Sequence, residues 1–189
     1  MIDENAFGIA IGYYSIENDE YALEREEFQA RLEEFRDATQ SCLAELPLGT
    51  DVRALDLGHL VYVEVAAGDQ SEDPLRWLRN VRGRLAERGF ETLGVITYGG
   101  RWVPELELEE LPNLVPCGPV QLCCVSHPSE PLRRALQADA AAHYDEESLE
   151  GWGPGFYVDT EAIESLGHKL KNAPTELAAG GTSFYRIGS

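Results

Sequence analysis

The order in which hydrophobic periodicity switches along this chain constrains its fold more than any single motif does. "FGIAIGYYSI" (7–16) is rich in β-branched and aromatic residues and reads as a strand. Phe28, Leu32, Phe35, Cys42 or Leu43, and Leu46 then recur at helical spacing. They predict one long helix over 18–46, capped by Asn18 or Asp19 and stopped by Pro47 with Gly49. Residues 52–68 are too many for one ordinary strand: either Gly58-His59 divides them into two strands, or one long strand is kinked at Gly58. "SEDPLRWLRNVRGRLAERGF" announces a second helix over 73–88. Asp73 is its N-cap, Pro74 its first residue and Gly89 its close. A β-rich run at 92–98 follows. The order β-α-β-β-α-β is ferredoxin-like, with two helices covering one face of an antiparallel sheet.

"TYGGRW" (97–102) poses a choice between the floor of a binding site and the corner of a hairpin. Gly-Gly between two β-rich runs supplies the positive φ that a two-residue hairpin needs. A phosphate loop would need more glycines, a lysine and a following helix. The sequence therefore predicts a hairpin of 92–98 with 101–106, turning at Gly99-Gly100.

The fold class expected is α+β: a ferredoxin-like unit over 1–106, a connector at 107–118, and a second, smaller α/β half over 119–189. The two halves either stand apart or continue one domain. The second half is read as strand 119–127, an alanine-rich helix with Pro131 in its first turn, strand "GFYVD", a short helix capped by Thr160, and a last strand "TSFYRI".

Thirty-four acidic residues against fifteen basic ones give a net charge of -19. Such a field repels nucleic acid and anionic membranes, and it either serves solubility alone or favours a basic protein partner. The N-terminus carries acids where a signal peptide needs basic residues, which reads as cytoplasmic. Four cysteines without such a signal are expected as reduced thiols, not as a disulfide framework.

Few residues present a catalytic pattern. Cys117, Cys123, Cys124 and His127 resemble a metal cluster, but Cys123 and Cys124 are adjacent on a predicted strand and point to opposite faces. No metal and no cofactor is expected. His59, His143 and His168 are isolated in sequence. Glu24, Glu27, Glu34 and Asp37 mark the outer face of the first helix as a candidate partner-binding surface. Arg76, Arg79 and Arg82 gather on the second helix, either as an anion site or as a salt-bridge lattice with the acidic first helix. Tyr62, Trp102, Trp152 and Tyr157 are candidates for an aromatic-lined pocket. The charge and the lack of a catalytic signature favour a non-enzymatic interaction protein: an inhibitor, immunity factor or adaptor. The alternative is a small-molecule-binding or catalytic ferredoxin-like domain.

Overall fold

A computed structural model describes residues 5–44, 52–67, 74–100, 129–144, 151–166 and 176–187. The first unit runs β1 (Asn5–Tyr13), α1 (Ile16–Ala22), α2 (Arg25–Ala44), β2 (Val52–Asp56), β3 (Leu60–Ala66), α3 (Pro74–Glu87) and β4 (Thr92–Gly100). It continues into α4 (Glu130–Tyr144), β5 (Gly155–Asp159), α5 (Thr160–Leu166), β6 (Glu176–Ala179) and β7 (Thr182–Ile187). Among the described residues the strands form one seven-stranded sheet, in the order β2-β3-β1-β4-β5-β7-β6. The first four strands pair antiparallel in the ferredoxin-like arrangement, and β5 joins β4 in parallel. The fold class is therefore the α+β expected. Among the described residues no helix is long and apolar enough to cross a membrane.

Strand alternation divides the core in two. Ile9, Ile11 and Tyr13 of β1 point to the face covered by α2, α3 and α5, where Phe35, Trp77, Leu78, Leu85 and Ala162 meet them. Ala10, Tyr62, Val95 and Tyr157 point to the other face, beneath Leu132, Ala135, Ala138 and Ala142 of α4. Along β1 this second face reads Gly8, Ala10, Gly12, a row of minimal side chains that lets α4 lie close to the sheet. A Cβ added at Gly8 would stand 2.6 Å from the Tyr62 hydroxyl, 2.7 Å from Thr97 Oγ1 and 2.8 Å from Pro131 Cβ.

Several expectations need correction. The first helix breaks at Leu23, which is extended (φ -102, ψ 152), so that α1 and α2 are separate. The Glu24 amide donates to Glu27 Oε2 at 3.4 Å, a side-chain contact that helps start the second piece. Gly99 and Gly100 do not turn. They continue β4 opposite Ala6 and Asn5 of β1, and neither has positive φ. A Gly-Gly corner does exist, but at Gly180 (φ 55) and Gly181 (φ 82), between β6 and β7. β6 itself was not foreseen. Asp159, not Thr160, caps α5: its Oδ1 accepts the Ala162 amide at 2.7 Å. The turn at Gly58 (φ 87) is as expected, its amide donating to Asp56 Oδ1 at 2.8 Å. Asp73 and the strands expected at 101–106 and 119–127 lie outside the described residues.

The lattice expected between α3 arginines and α2 acids is also corrected. Among the described residues no ion pair joins Arg76, Arg79 or Arg82 to an acid of α2. Cations of α2 tie this layer. Arg31 donates to the carbonyls of Arg88 (3.0 Å) and Gly89 (2.9 Å), closing the C-terminus of α3, and lies 3.6 Å over the Phe90 ring. Arg36 pairs with Asp56 at 2.9 Å.

The close approach of α4 gives a direct prediction. Gly8→Ala should lower stability by about 1–3 kcal/mol, because backbone or buried hydroxyls must move to admit the methyl. A urea midpoint unchanged from wild type would show that α4 does not press on β1.

Candidate functional site

Helix α4 begins inside a buried polar network. Ser129 caps it, its Oγ accepting the Leu132 amide at 3.2 Å. The same Oγ donates to Glu64 Oε2 at 2.8 Å, and the Tyr62 hydroxyl donates to that oxygen at 2.9 Å. Thr97 Oγ1 donates to the Pro131 carbonyl at 2.8 Å. Burial, then the Glu64 charge, push the Tyr62 phenol well above its ordinary value, so it stays a donor.

One turn along α4, Arg134 is buried with a 7% exposed side chain. Its Nε lies 3.3 Å from Asp159 Oδ2, its Nη1 2.6 Å from Glu161 Oε2, and its Nη2 3.9 Å from Glu130 Oε2. It also donates to the Tyr98 carbonyl at the end of β4. Gly99 is the residue that makes this possible. A Cβ there would stand 2.5 Å from Arg134 Nη2 and 2.7 Å from Glu130 Oε2. Burial pushes the Asp159 carboxyl up to about 6, against the opposing pull of the Ala162 amide and Arg134.

Above this pair opens a cleft of about 560 Å³ between α4, the start of α5, the β6–β7 corner and the ends of β1 and β4. Its polar lining includes Arg133, Glu130, Glu161, Thr160, Thr182 and Asn5, with Gly99 in its floor. The volume is within the range of small-molecule sites. The lining offers both donors and carboxylate acceptors, which suits hydrogen bonding to a polar molecule.

A second cluster sits toward the C-terminal end of α4. His59 Nε2, on the β2–β3 turn, is 3.0 Å from Asp139 Oδ2, and His143 Nε2 is 3.6 Å from Asp139 Oδ1. The His143 ring also lies 5.9 Å from that of Tyr14. Burial alone would lower His59, but hydrogen bonding and attraction to Asp139 win and its value is raised. No spacing or motif marks two histidines 84 positions apart as sharing one carboxylate. Among the described residues no group of three or more potential ligands is arranged to hold a metal ion.

The residues singled out from sequence are dispersed. Tyr62, Trp152 and Tyr157 are buried together in the core under α4, the last two rings 4.6 Å apart, and none lines the cleft. Trp102, Cys117, Cys123, Cys124, His127 and His168 lie outside the described residues. Glu24, Glu27, Glu34 and Asp37 are exposed, and Glu34 pairs with Arg31 of its own helix at 3.0 Å. Arg76 and Arg79 are exposed, whereas Arg82 is half-buried with its guanidinium 4.8 Å from the centre of the Phe156 ring. Sequence reading missed Arg134, Asp159 and Glu161, the three residues that build the cleft.

No family model and no curated protein matches this sequence. Among solved structures it is similar to the adenylyl cyclase CyaB from P. aeruginosa, with a TM-score of 0.59 and 9% identity. The match covers 98% of this chain and 95% of the other. At that identity the likeness shows the fold alone. It still corrects the first expectation of function. The reading as a non-enzymatic inhibitor, immunity factor or adaptor rested on charge and on a missing catalytic signature. A chain of the same fold along nearly its whole length is an enzyme, which favours the small-molecule-binding or catalytic alternative.

The His59–Asp139 pair predicts a pH dependence. A histidine raised in the folded state contributes stability that is full below its ordinary 6.5 and fades as pH rises through the folded value. His59→Gln should therefore cost about 1–3 kcal/mol near pH 6, with the gap to wild type narrowing as the pH rises toward about 9. Unfolding midpoints across that range check it, and a gap that widens with pH would contradict it.

Proposed function

We propose that this chain is a small-molecule-binding domain whose ligand occupies the polar cleft above Arg134. The observation that carries the reading is the cleft itself: about 560 Å³, floored by Gly99, with a buried guanidinium fixing the carboxylates at its mouth. Buried charge of this kind is costly to place and orients its partners strongly. The chain-long likeness to an adenylyl cyclase supports a ligand-binding or catalytic use of this fold, and no residue role is carried over from it.

The lining narrows the ligand. Glu130, Glu161 and the underlying Asp159 outnumber Arg133 and Arg134, so the site does not favour a bare polyanion. Carboxylates and carbonyls accept from ligand hydroxyls, while Arg133, Thr160 and Asn5 can donate in return. A hydroxyl-rich molecule of nucleoside or sugar size fits that pattern.

Calorimetric titration of the full chain with nucleosides and simple sugars tests the reading. At least one should bind saturably, and Arg133→Ala or Thr160→Val should weaken it about tenfold, the loss of one or two directed hydrogen bonds. Absence of saturable binding across the panel, or affinity untouched by both variants, would overturn the proposal.

A further inference from the structure

The charges that line the cleft divide into one closed group and two side chains left open. Arg134 directs Nη1 to Glu161 (2.6 Å), Nε to Asp159 (3.3 Å) and Nη2 to the Tyr98 carbonyl. Glu130 stands outside that group. Its Oε2 is 3.9 Å from Arg134 Nη2, past hydrogen-bond reach, and the bond it accepts from the Gly100 amide is long at 3.4 Å. Arg133 lines the same cleft, is exposed, and makes no ion pair among the described residues.

The fold keeps these two apart. Residues three apart on a helix are neighbours, with Cβ atoms about 5–6 Å from each other, and a glutamate and an arginine so placed commonly pair. The Glu130 carboxylate is turned instead to the end of β4, toward the Gly100 amide and Arg134. Gly99 gives it that room: a Cβ there would stand 2.7 Å from Glu130 Oε2 and 3.1 Å from Glu130 Cβ. The cleft therefore presents one carboxylate and one guanidinium, neighbours on α4, each with bonding capacity that the protein leaves unused. A lone ion of either sign would be drawn to one of them and repelled by the other. A ligand carrying both charges close together is drawn to both, and as a neutral whole it meets no penalty from the net charge of -19.

We propose that the ligand of the cleft is a zwitterion: a hydroxyl-bearing molecule with an α-amino-acid group, its carboxylate on the Arg133 fork and its ammonium on Glu130. This rests on the reading of the cleft as a small-molecule site and adds the charge class of what it takes. An α-amino acid holds its two charges on one carbon, as close together as the two neighbouring side chains require. The planar fork of Arg133 gives a carboxylate two parallel donors, and a carboxylate accepts strongly from an ammonium. Thr160, Thr182 and Asn5 remain for the hydroxyls.

Four open-chain sugar derivatives of equal carbon number test the charge class, by calorimetric titration of the full chain at pH 7.5 and fixed ionic strength. Sorbitol is neutral, glucamine cationic, gluconate anionic and glucosaminate zwitterionic. Glucosaminate should bind saturably in the millimolar range or tighter, about tenfold more tightly than any of the other three. Glu130→Gln and Arg133→Gln should each weaken it about tenfold, with opposite side effects. Glu130→Gln should tighten gluconate, by removing a repelling charge, and Arg133→Gln should tighten glucamine for the same reason. A merely structural role for either residue would not produce that crossed pattern. Unfolding midpoints check that the variants are folded, and Arg133→Gln, an exposed change, carries the test if Glu130→Gln disturbs the start of α4. Binding of sorbitol, glucamine or gluconate as tight as that of glucosaminate would overturn the zwitterion and leave the small-molecule reading standing. No saturable binding of glucosaminate up to about 10 mM would overturn it too, and the small-molecule reading falls with it only if the nucleosides and simple sugars also fail to bind.

Discussion

The structure depends on one buried cation. Arg134 enters the sheet side of α4 at the point where β4 ends and β5 hands over to α5. It contacts four groups on four elements: the Tyr98 carbonyl of β4, Asp159 of β5, Glu161 of α5 and Glu130 of its own helix. A guanidinium out of water needs such a set, since its desolvation is costly and only well-placed acceptors offset it. Satisfying it fixes the position of α4, the end of β4 and the first turn of α5 together. The cleft is the space left above that arrangement. Its geometry therefore follows from a folding requirement, and the same carboxylates that neutralise Arg134 are the ones offered to a ligand.

The small residues of β1 make the arrangement possible. Gly8, Ala10 and Gly12 bring α4 close enough for Ser129, Glu64 and Tyr62 to form a closed network at its start. Gly12 does the same at the other end, where a Cβ would stand 3.2 Å from Asp139 Oδ1. Charged and hydroxyl groups thus recur along the sheet-facing side of an alanine-rich helix, each with a partner delivered by a different strand or turn. The opposite layer is built from apolar packing, with Arg31 and Arg36 tying α2 to its neighbours. The layer with the polar network is the one that carries the cleft.

Much of the fold was legible in local pattern. Pro74 and Gly89 placed α3, and Gly58 placed the β2–β3 turn, because these signals are short-range and unopposed. The Gly-Gly signal at 99–100 misled for a physical reason. Glycine serves positive φ in one place and close approach in another, and the two look identical in sequence. At 180–181 it serves the turn, while at 99 it makes room for Arg134. The helix break at Leu23 escaped notice because the apolar stripe that defines the helix begins only at Phe28, beyond the break. The candidate site was largely illegible. Arg134, Asp159 and Glu161 meet only through the packing of α4 on β4 and β5, and neither charge nor spacing foretells such a meeting. The alternation of Gly8, Ala10 and Gly12 was the one available hint that a helix would press there.

The central claim, that the buried Arg134–Asp159 pair seats α4 and so shapes the cleft, is tested most directly by a double-mutant cycle at pH 7.5. Arg134→Met leaves Asp159 without its buried counter-charge and should cost about 3–5 kcal/mol, while Asp159→Asn removes the charge that Arg134 answers. With both changed, the orphaned charge is gone. The loss should then fall short of the sum of the two single losses by more than about 2 kcal/mol. Single losses that add to within about 0.5 kcal/mol would contradict the claim, for they would mean that the two groups do not depend on each other.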